Sequence, residues 1–206
     1  MKRTTILPLL ALATLLSATA TAQNTMNDMD TLNLSLEWDK TFPQSERVSH
    51  TKVTFHNRYG ITLAADLYKP KDAVGPLAAV AVCGPYGAVK EQVSGLYAQT
   101  LAERGFLTIA FDPSFYGESG GRPRYLTSPE ISTDDFSAAV DYLSTREDVD
   151  PQRIGICGIC GWGGFALNAA ANDPRIRATI TSTMYDMSRV NARGYFDAMS
   201  ADDRYH

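Results

Sequence analysis

Three stretches of this chain hold residue types and spacings that could do covalent chemistry. The first is Arg153-Ile154-Gly155-Ile156-Cys157-Gly158-Ile159-Cys160-Gly161-Trp162-Gly163-Gly164, an apolar run that passes through closely spaced glycines. A buried strand entering a helix this abruptly needs glycine, both for unusual φ/ψ and to let strand and helix backbones approach. A thiol beside a helix N-terminus, as Cys160 would be, has its pKa drawn down from about 8.5 toward neutrality. The second stretch is Gly117-Glu118-Ser119-Gly120-Gly121, a literal G-x-S-x-G. Arg122-Pro123-Arg124 follows it and no helical pattern begins before about Ser132, so a surface loop is expected there instead of a nucleophile turn. The third is the C-x-x-C of Cys157-Gly158-Ile159-Cys160. Redox turns of that kind put both cysteines on the first helical turn, whereas Cys157 falls inside the expected strand. An extended backbone also holds the two Cβ atoms too far apart for a disulfide.

The elements that must position these residues can be read from hydropathy. Thr51, Val53 and Phe55 alternate with Lys52, Thr54 and His56, and after the turn Asn57-Arg58-Tyr59-Gly60 a second alternating run places Ile61, Leu63, Ala65 and Leu67 on one face. This predicts an antiparallel hairpin ending at Pro70. Beyond it, short continuous apolar runs alternate with helical patterns, which is how a parallel sheet covered on both faces reads. The strands are expected at Leu77–Cys83, Phe106–Phe111, Arg153–Gly158 and Ala178–Ser182. Helices are expected near Lys90–Arg104, after a capping box at Ser132 and Asp135, and at Gly163–Ala171, with a helix-like stretch at Met184–Met199. The fold class is therefore α/β: a mostly parallel sheet with an N-terminal antiparallel hairpin.

These motifs resemble the α/β-hydrolase superfamily, specifically its dienelactone-hydrolase-like and serine-peptidase-like bacterial hydrolases. The resemblance covers about Val48 to Asp186 and rests on the elbow together with Phe55–Pro70, Cys83–Gln92 (CGPYGAVKEQ) and Phe111–Gly121 (FDPSFYGESGG). It implies cleavage of small esters or amides through an acyl-enzyme. Close relatives usually carry Ser at the elbow position that aligns with Trp162, and an indole has no nucleophilic atom. The resemblance thus makes Trp162 a substituted nucleophile and the protein weak or inactive, with a Cys160-dependent hydrolase or a non-catalytic ligand- or partner-binding module as the alternatives. It also implies two backbone oxyanion donors, Tyr86 and the residue after the nucleophile. That residue is Gly163 if Trp162 holds the position and Gly161 if Cys160 does.

In this superfamily the acid and the His follow the nucleophile. Asp186, Asp197, Asp202, Asp203 and His206 are the candidates after Trp162, and a terminal His206 is poorly placed to act as a base. His50 and His56 precede the elbow on the expected solvent face of a strand and read as structural. A full hydrolase sheet would continue past Ala178–Ser182, so the resemblance implies a C-terminally truncated member whose sheet is incomplete at that end. Its exposed edge would favour self-association. No metal-ligand cluster is visible and no cofactor is expected.

At the other end, Lys2 and Arg3, the apolar Ile6–Leu16 and Ala20-Thr21-Ala22 read as residues 1–22 of a signal peptide, so an exported protein, periplasmic or secreted, is expected. The apolar run is too short to span a bilayer, so no membrane span is expected after cleavage. Residues 23–47 read as a polar leader and 48–206 as the partial hydrolase domain. A net charge of −4, with no run of five like charges, argues against a phosphate-tracking nucleic-acid binder and leaves a small acyl ligand as the expected partner.

Overall fold

The structure is a computed structural model that describes residues 32–204. The expected signal peptide, the start of the leader and His206 lie outside the described residues. Six strands form one sheet in the order β1-β2-β4-β3-β5-β6. Strands β1 (Val48–His56) and β2 (Thr62–Pro70) make the expected hairpin, in register from Val48 opposite Pro70 to His56 opposite Thr62. At the turn the Asn57 side-chain oxygen accepts the Tyr59 and Ile61 N–H groups, each at 3.0 Å. Strand β2 runs antiparallel to β4 (Leu107–Phe111). From there β4, β3 (Leu77–Cys83), β5 (Val149–Ile159) and β6 (Ile176–Ser182) are all parallel.

The period-2 rule sorts each parallel strand between two cores. Ala79, Ala81, Ile109, Phe111, Ile154 and Ile156 face the layer built by α2 (Pro129–Ser144) and α3 (Gly161–Asn172), where Phe136, Leu143 and Phe165 are buried. Val80, Val82, Ala110 and Cys157 face α1 (Val93–Ala102) through Ala98 and Ala102. The hairpin was expected to bury one face, yet β2 is buried on both. Leu63, Ala65 and Leu67 join the first core, while Tyr68 joins the second beside Asp66, whose carboxylate is paired there.

Two helix boundaries differ from expectation, each for a local reason. Helix α2 is capped four residues before the expected position, because Ser128 caps it and Pro129 takes the first turn, where a missing N–H costs nothing. Asp135, read as part of a capping box, instead reaches inward from within the helix. At the chain's far end Met187–Arg193 (α4) is α-helical, capped by Asp186 and stopped at Gly194, and short 3-10 turns follow at Tyr195–Asp197 and Asp202–Arg204. Residues 32–47 form neither helix nor strand, and Phe42 anchors them in the second core. Among the described residues no helix is long and apolar enough to cross a membrane.

Candidate active site

Three adjacent parallel strands deliver the site at their carboxyl ends, where open α/β sheets place their ligands. Cys160 follows β5 by one residue, Tyr86 follows β3 by three, and Tyr185 follows β6 by three. Strand order sets β3 and β6 on either side of β5, so the two tyrosine-bearing connections flank Cys160.

Cys160 is the residue on the strand-to-helix turn. Its backbone has φ 56° and ψ −124°, a region that side-chain-bearing residues avoid at a cost of about 1–3 kcal/mol. The turn is held from both ends: the Cys160 N–H donates to the Ser182 carbonyl at 2.8 Å, and its carbonyl accepts the Gly163 N–H at 3.0 Å. Glycine is needed at two nearby positions. A Cβ at Gly158 would lie 2.3 Å from the Trp162 carbonyl oxygen, so only glycine lets α3 come this close to β5. Gly84, with φ +101°, would put a Cβ 2.3 Å from the Ile159 carbonyl oxygen, so only glycine lets the loop carrying Tyr86 lie against the elbow.

The structure puts Cys160, not Trp162, on the strand-to-helix turn. Trp162 is the second residue of α3 and is fully buried, with ring centroids 5.4 Å from Phe165, 6.1 Å from Tyr116 and 5.6 Å from Tyr86. Its Nε1 has no hydrogen-bond partner, which leaves the indole as packing for the floor of the oxyanion loop. Gly163 is corrected with it. Its N–H is bonded to the Cys160 carbonyl within the first turn, and the N–H that faces the sulfur from α3 belongs to Gly161. Tyr86 presents its backbone N–H to the same sulfur.

Cys160 Sγ therefore sits among three donors: the Tyr86 and Gly161 N–H groups and the Tyr185 hydroxyl, 3.0 Å away. Partial burial pushes the thiol up, but the Tyr185 hydrogen bond and the two peptide N–H groups outweigh it, and the thiol titrates below its ordinary range. The other two cysteines differ sharply. Burial pushes Cys157 up to about 11 and Cys83 well above its usual value, and all three are free thiols. Sequence reasoning missed Tyr185. Its signal was position, three residues beyond a strand expected beside the elbow strand.

Ser119 is in a loop, as expected, but it is buried. Its hydroxyl donates to the Asp112 carbonyl at 2.7 Å and accepts the Ala64 N–H at 2.9 Å, so it ties the loop to β2. Asp186 and Asp197 are engaged in capping α4 and pairing Arg189. His50 bonds Asp66 at 2.8 Å, and His56 lines a polar cleft of about 890 Å³ with Asn172 and Asp173, at the opposite end of α3 from the thiol.

Behind the Tyr86 loop lies a buried ionic cluster. Lys90 Nζ contacts Glu91 at 2.5 Å, Glu118 at 2.7 Å and Asp112 at 2.8 Å, and the Lys90 N–H donates to Asp112 at 2.8 Å. Burial pulls the ammonium pKa down, but the three carboxylates carry it above its usual value, so Lys90 stays charged. Asp39, Glu91 and Glu118 bring their carboxylates within 4.8 Å of one another, the spacing of a cation site. The Lys52 ammonium stands among them, at 2.5 Å from Glu118, 3.6 Å from Glu91 and 3.9 Å from Asp39, and supplies the positive charge itself.

Comparison with known proteins shows the family and the fold. Residues 59–200 match the X-Pro dipeptidyl-peptidase (S15) family. Protein PA2218 of Pseudomonas aeruginosa is 61% identical over 188 residues, which cover 91% of this chain and 51% of that protein. Its crystal structure superposes with a TM-score of 0.83 at 62% identity, covering 85% of this chain and 55% of that one. Thiohydrolase aneE of Aspergillus aculeatus is 34% identical over 66% of this chain and 42% of its own length. The crystal structure of α/β hydrolase GrgF from Penicillium sp. sh18 matches with a TM-score of 0.60 at 27% identity, over 65% of this chain and 45% of that one. The chain thus spans about half the length of the curated relatives it matches. With the S15 match over most of the domain and the strand-to-helix elbow in place, the chain is an α/β hydrolase in fold and belongs to the X-Pro dipeptidyl-peptidase (S15) family.

Proposed function

We propose that the protein is an acyl hydrolase whose nucleophile is the Cys160 thiolate, acting after export on small uncharged esters or thioesters. The observation that carries this reading is the backbone of Cys160 at φ 56°, which sets its sulfur on the elbow facing the Tyr86 and Gly161 N–H groups. In the reaction Sγ attacks the carbonyl carbon, an S–C bond forms, and the carbonyl electron pair moves onto oxygen. The two N–H groups that face the sulfur are the donors for that oxyanion, and each such donor is worth about 3–4 kcal/mol of barrier. Collapse expels the leaving group, and water hydrolyses the acyl-cysteine.

Among the described residues the sulfur takes its hydrogen bonds from a phenol and two peptide groups. Leaving groups that depart as stable anions, such as thiolates and nitrophenolates, need no proton from the protein; amides do. The name of the thiohydrolase relative supports a thioester as substrate. Of the two reasons to expect a weak or inactive protein, an indole on the elbow and the missing acid and His, the reading with Cys160 on the turn removes the first. Export is supported by the Lys2-Arg3, Ile6–Leu16 and Ala20-Thr21-Ala22 pattern.

Hydrolysis of p-nitrophenyl acetate and of a short acyl thioester by the wild type, Cys160→Ala and Trp162→Phe tests the reading. Turnover above background that is lost in Cys160→Ala and kept in Trp162→Phe is expected. Turnover that survives Cys160→Ala would contradict it.

A further inference from the structure

We propose that Tyr185 is a hydrogen-bond donor that helps keep Cys160 as a thiolate between acyl transfers, its phenol O–H directed at the sulfur. The inference rests on the reading of Cys160 as nucleophile and adds a residue to that site. The Tyr185 oxygen is 3.0 Å from Sγ, within the 4.0 Å reach of sulfur hydrogen bonds. A neutral phenol beside an anionic sulfur forms a charge-assisted hydrogen bond, roughly twice as strong as a neutral one.

The surroundings agree with that direction of donation. The hydrogen bond to Cys160 raises the Tyr185 phenol above its usual range, while the thiol is lowered. Tyr195 adds a second hydroxyl to the chain: it hydrogen-bonds Tyr185 and meets its ring edge-on at a centroid distance of 5.7 Å. Tyr195 is exposed, so the phenol is one hydroxyl away from solvent.

The groups facing the sulfur can be named element by element. The β3–α1 connection brings the Tyr86 N–H, α3 brings Gly161, and β6 brings the Ser182 carbonyl, already taken by the Cys160 N–H. The connection after β6 brings Tyr185 and then Asp186, whose carboxylate is spent on Ser188 and the Arg189 N–H. Arg189 in turn is paired with Asp197. Among the described residues the phenol is therefore the titratable side chain bonded to the sulfur.

The test is the pH profile of Cys160 alkylation by iodoacetamide, read by mass spectrometry of the tryptic peptide in the full chain. Buried Cys83 and Cys157, both with raised thiol pKa, serve as slow internal references. Fast alkylation in the wild type, with a midpoint below that of a free thiol, is expected. Tyr185→Phe should move the midpoint upward by about one pH unit, a roughly tenfold drop in rate below the midpoint, at an unchanged circular dichroism spectrum. An unshifted profile in Tyr185→Phe overturns the proposal while leaving Cys160 as nucleophile. Slow alkylation of Cys160 in the wild type overturns the nucleophile reading itself, so the two failures are distinguishable.

Discussion

Asp135 is buried on α2, where its carboxylate accepts the Asn57 amide at 2.9 Å and the Ser114 N–H and hydroxyl, each at 2.8 Å. Burial nevertheless wins over these donors and pushes the carboxyl from 3.8 up to about 6. A group raised on folding binds its proton more tightly in the native state. The stability it contributes is full below about pH 3.8 and is lost as the pH rises through about 6. We expect acidification from pH 7 toward 4.5 to add about 2–3 kcal/mol in the wild type that is missing in Asp135→Asn. Parallel slopes of thermal midpoint against pH in the two proteins would refute this. At this scale the sequence was legible where chemistry and position coincided. Cys160 could be picked out because glycines surround it, but whether it or Trp162 held the turn depends on two residues of register, which the glycine spacing around them does not fix. Asp135 misled for a related reason, since S-x-x-D fits a cap while only the fold shows that its carboxylate is turned inward to Ser114.

The elbow is an element in its own right, strand β5, one strained residue and helix α3, clasped by the Tyr86 loop. Its precision comes from contacts that leave no room for a methyl group: Gly158 under the Trp162 carbonyl and Gly84 against the Ile159 carbonyl. Gly84→Ala adds a Cβ where 2.3 Å is available and forces a φ of +101° on a residue that resists it. The Tyr86 N–H should be displaced from the oxyanion position, and acyl transfer should fall by roughly 100-fold with the circular dichroism spectrum retained. A Gly84→Ala protein with wild-type turnover would contradict the assignment of Tyr86. The parallel strands were legible because each is a short apolar run between turn residues; Leu77–Cys83 was read to the residue. The hairpin's second strand was less so. Its alternation suggested one wet face, but Asp66 is polar and buried together, paired with Lys40 at 3.0 Å and His50 at 2.8 Å.

Across the whole domain, the buried ionic cluster joins four segments that are far apart in sequence. Lys40 comes from residues 32–47, Lys52 from β1, Lys90 and Glu91 from the loop before α1, and Asp112 and Glu118 from the loop after β4. Removing one partner of such a network leaves an uncompensated buried charge, at a cost of about 3–5 kcal/mol. Lys90→Met strands Asp112, whose side chain is fully buried, and should lower the thermal midpoint by roughly 10 °C. A change of a degree or less would show that the cluster is not stabilising. None of this was visible in composition, because long-range pairing of charges leaves no local pattern. The chain belongs to the S15 family and has the α/β-hydrolase fold, and the proposed activity turns on one sulfur. The most direct measurement is acid quench of the protein during turnover of p-nitrophenyl acetate, followed by peptide mapping of the acyl group. We expect one acetyl group on Cys160 in the wild type and none anywhere in Cys160→Ala. An acetyl group on another residue, with Cys160 unmodified, would contradict the assignment of the nucleophile.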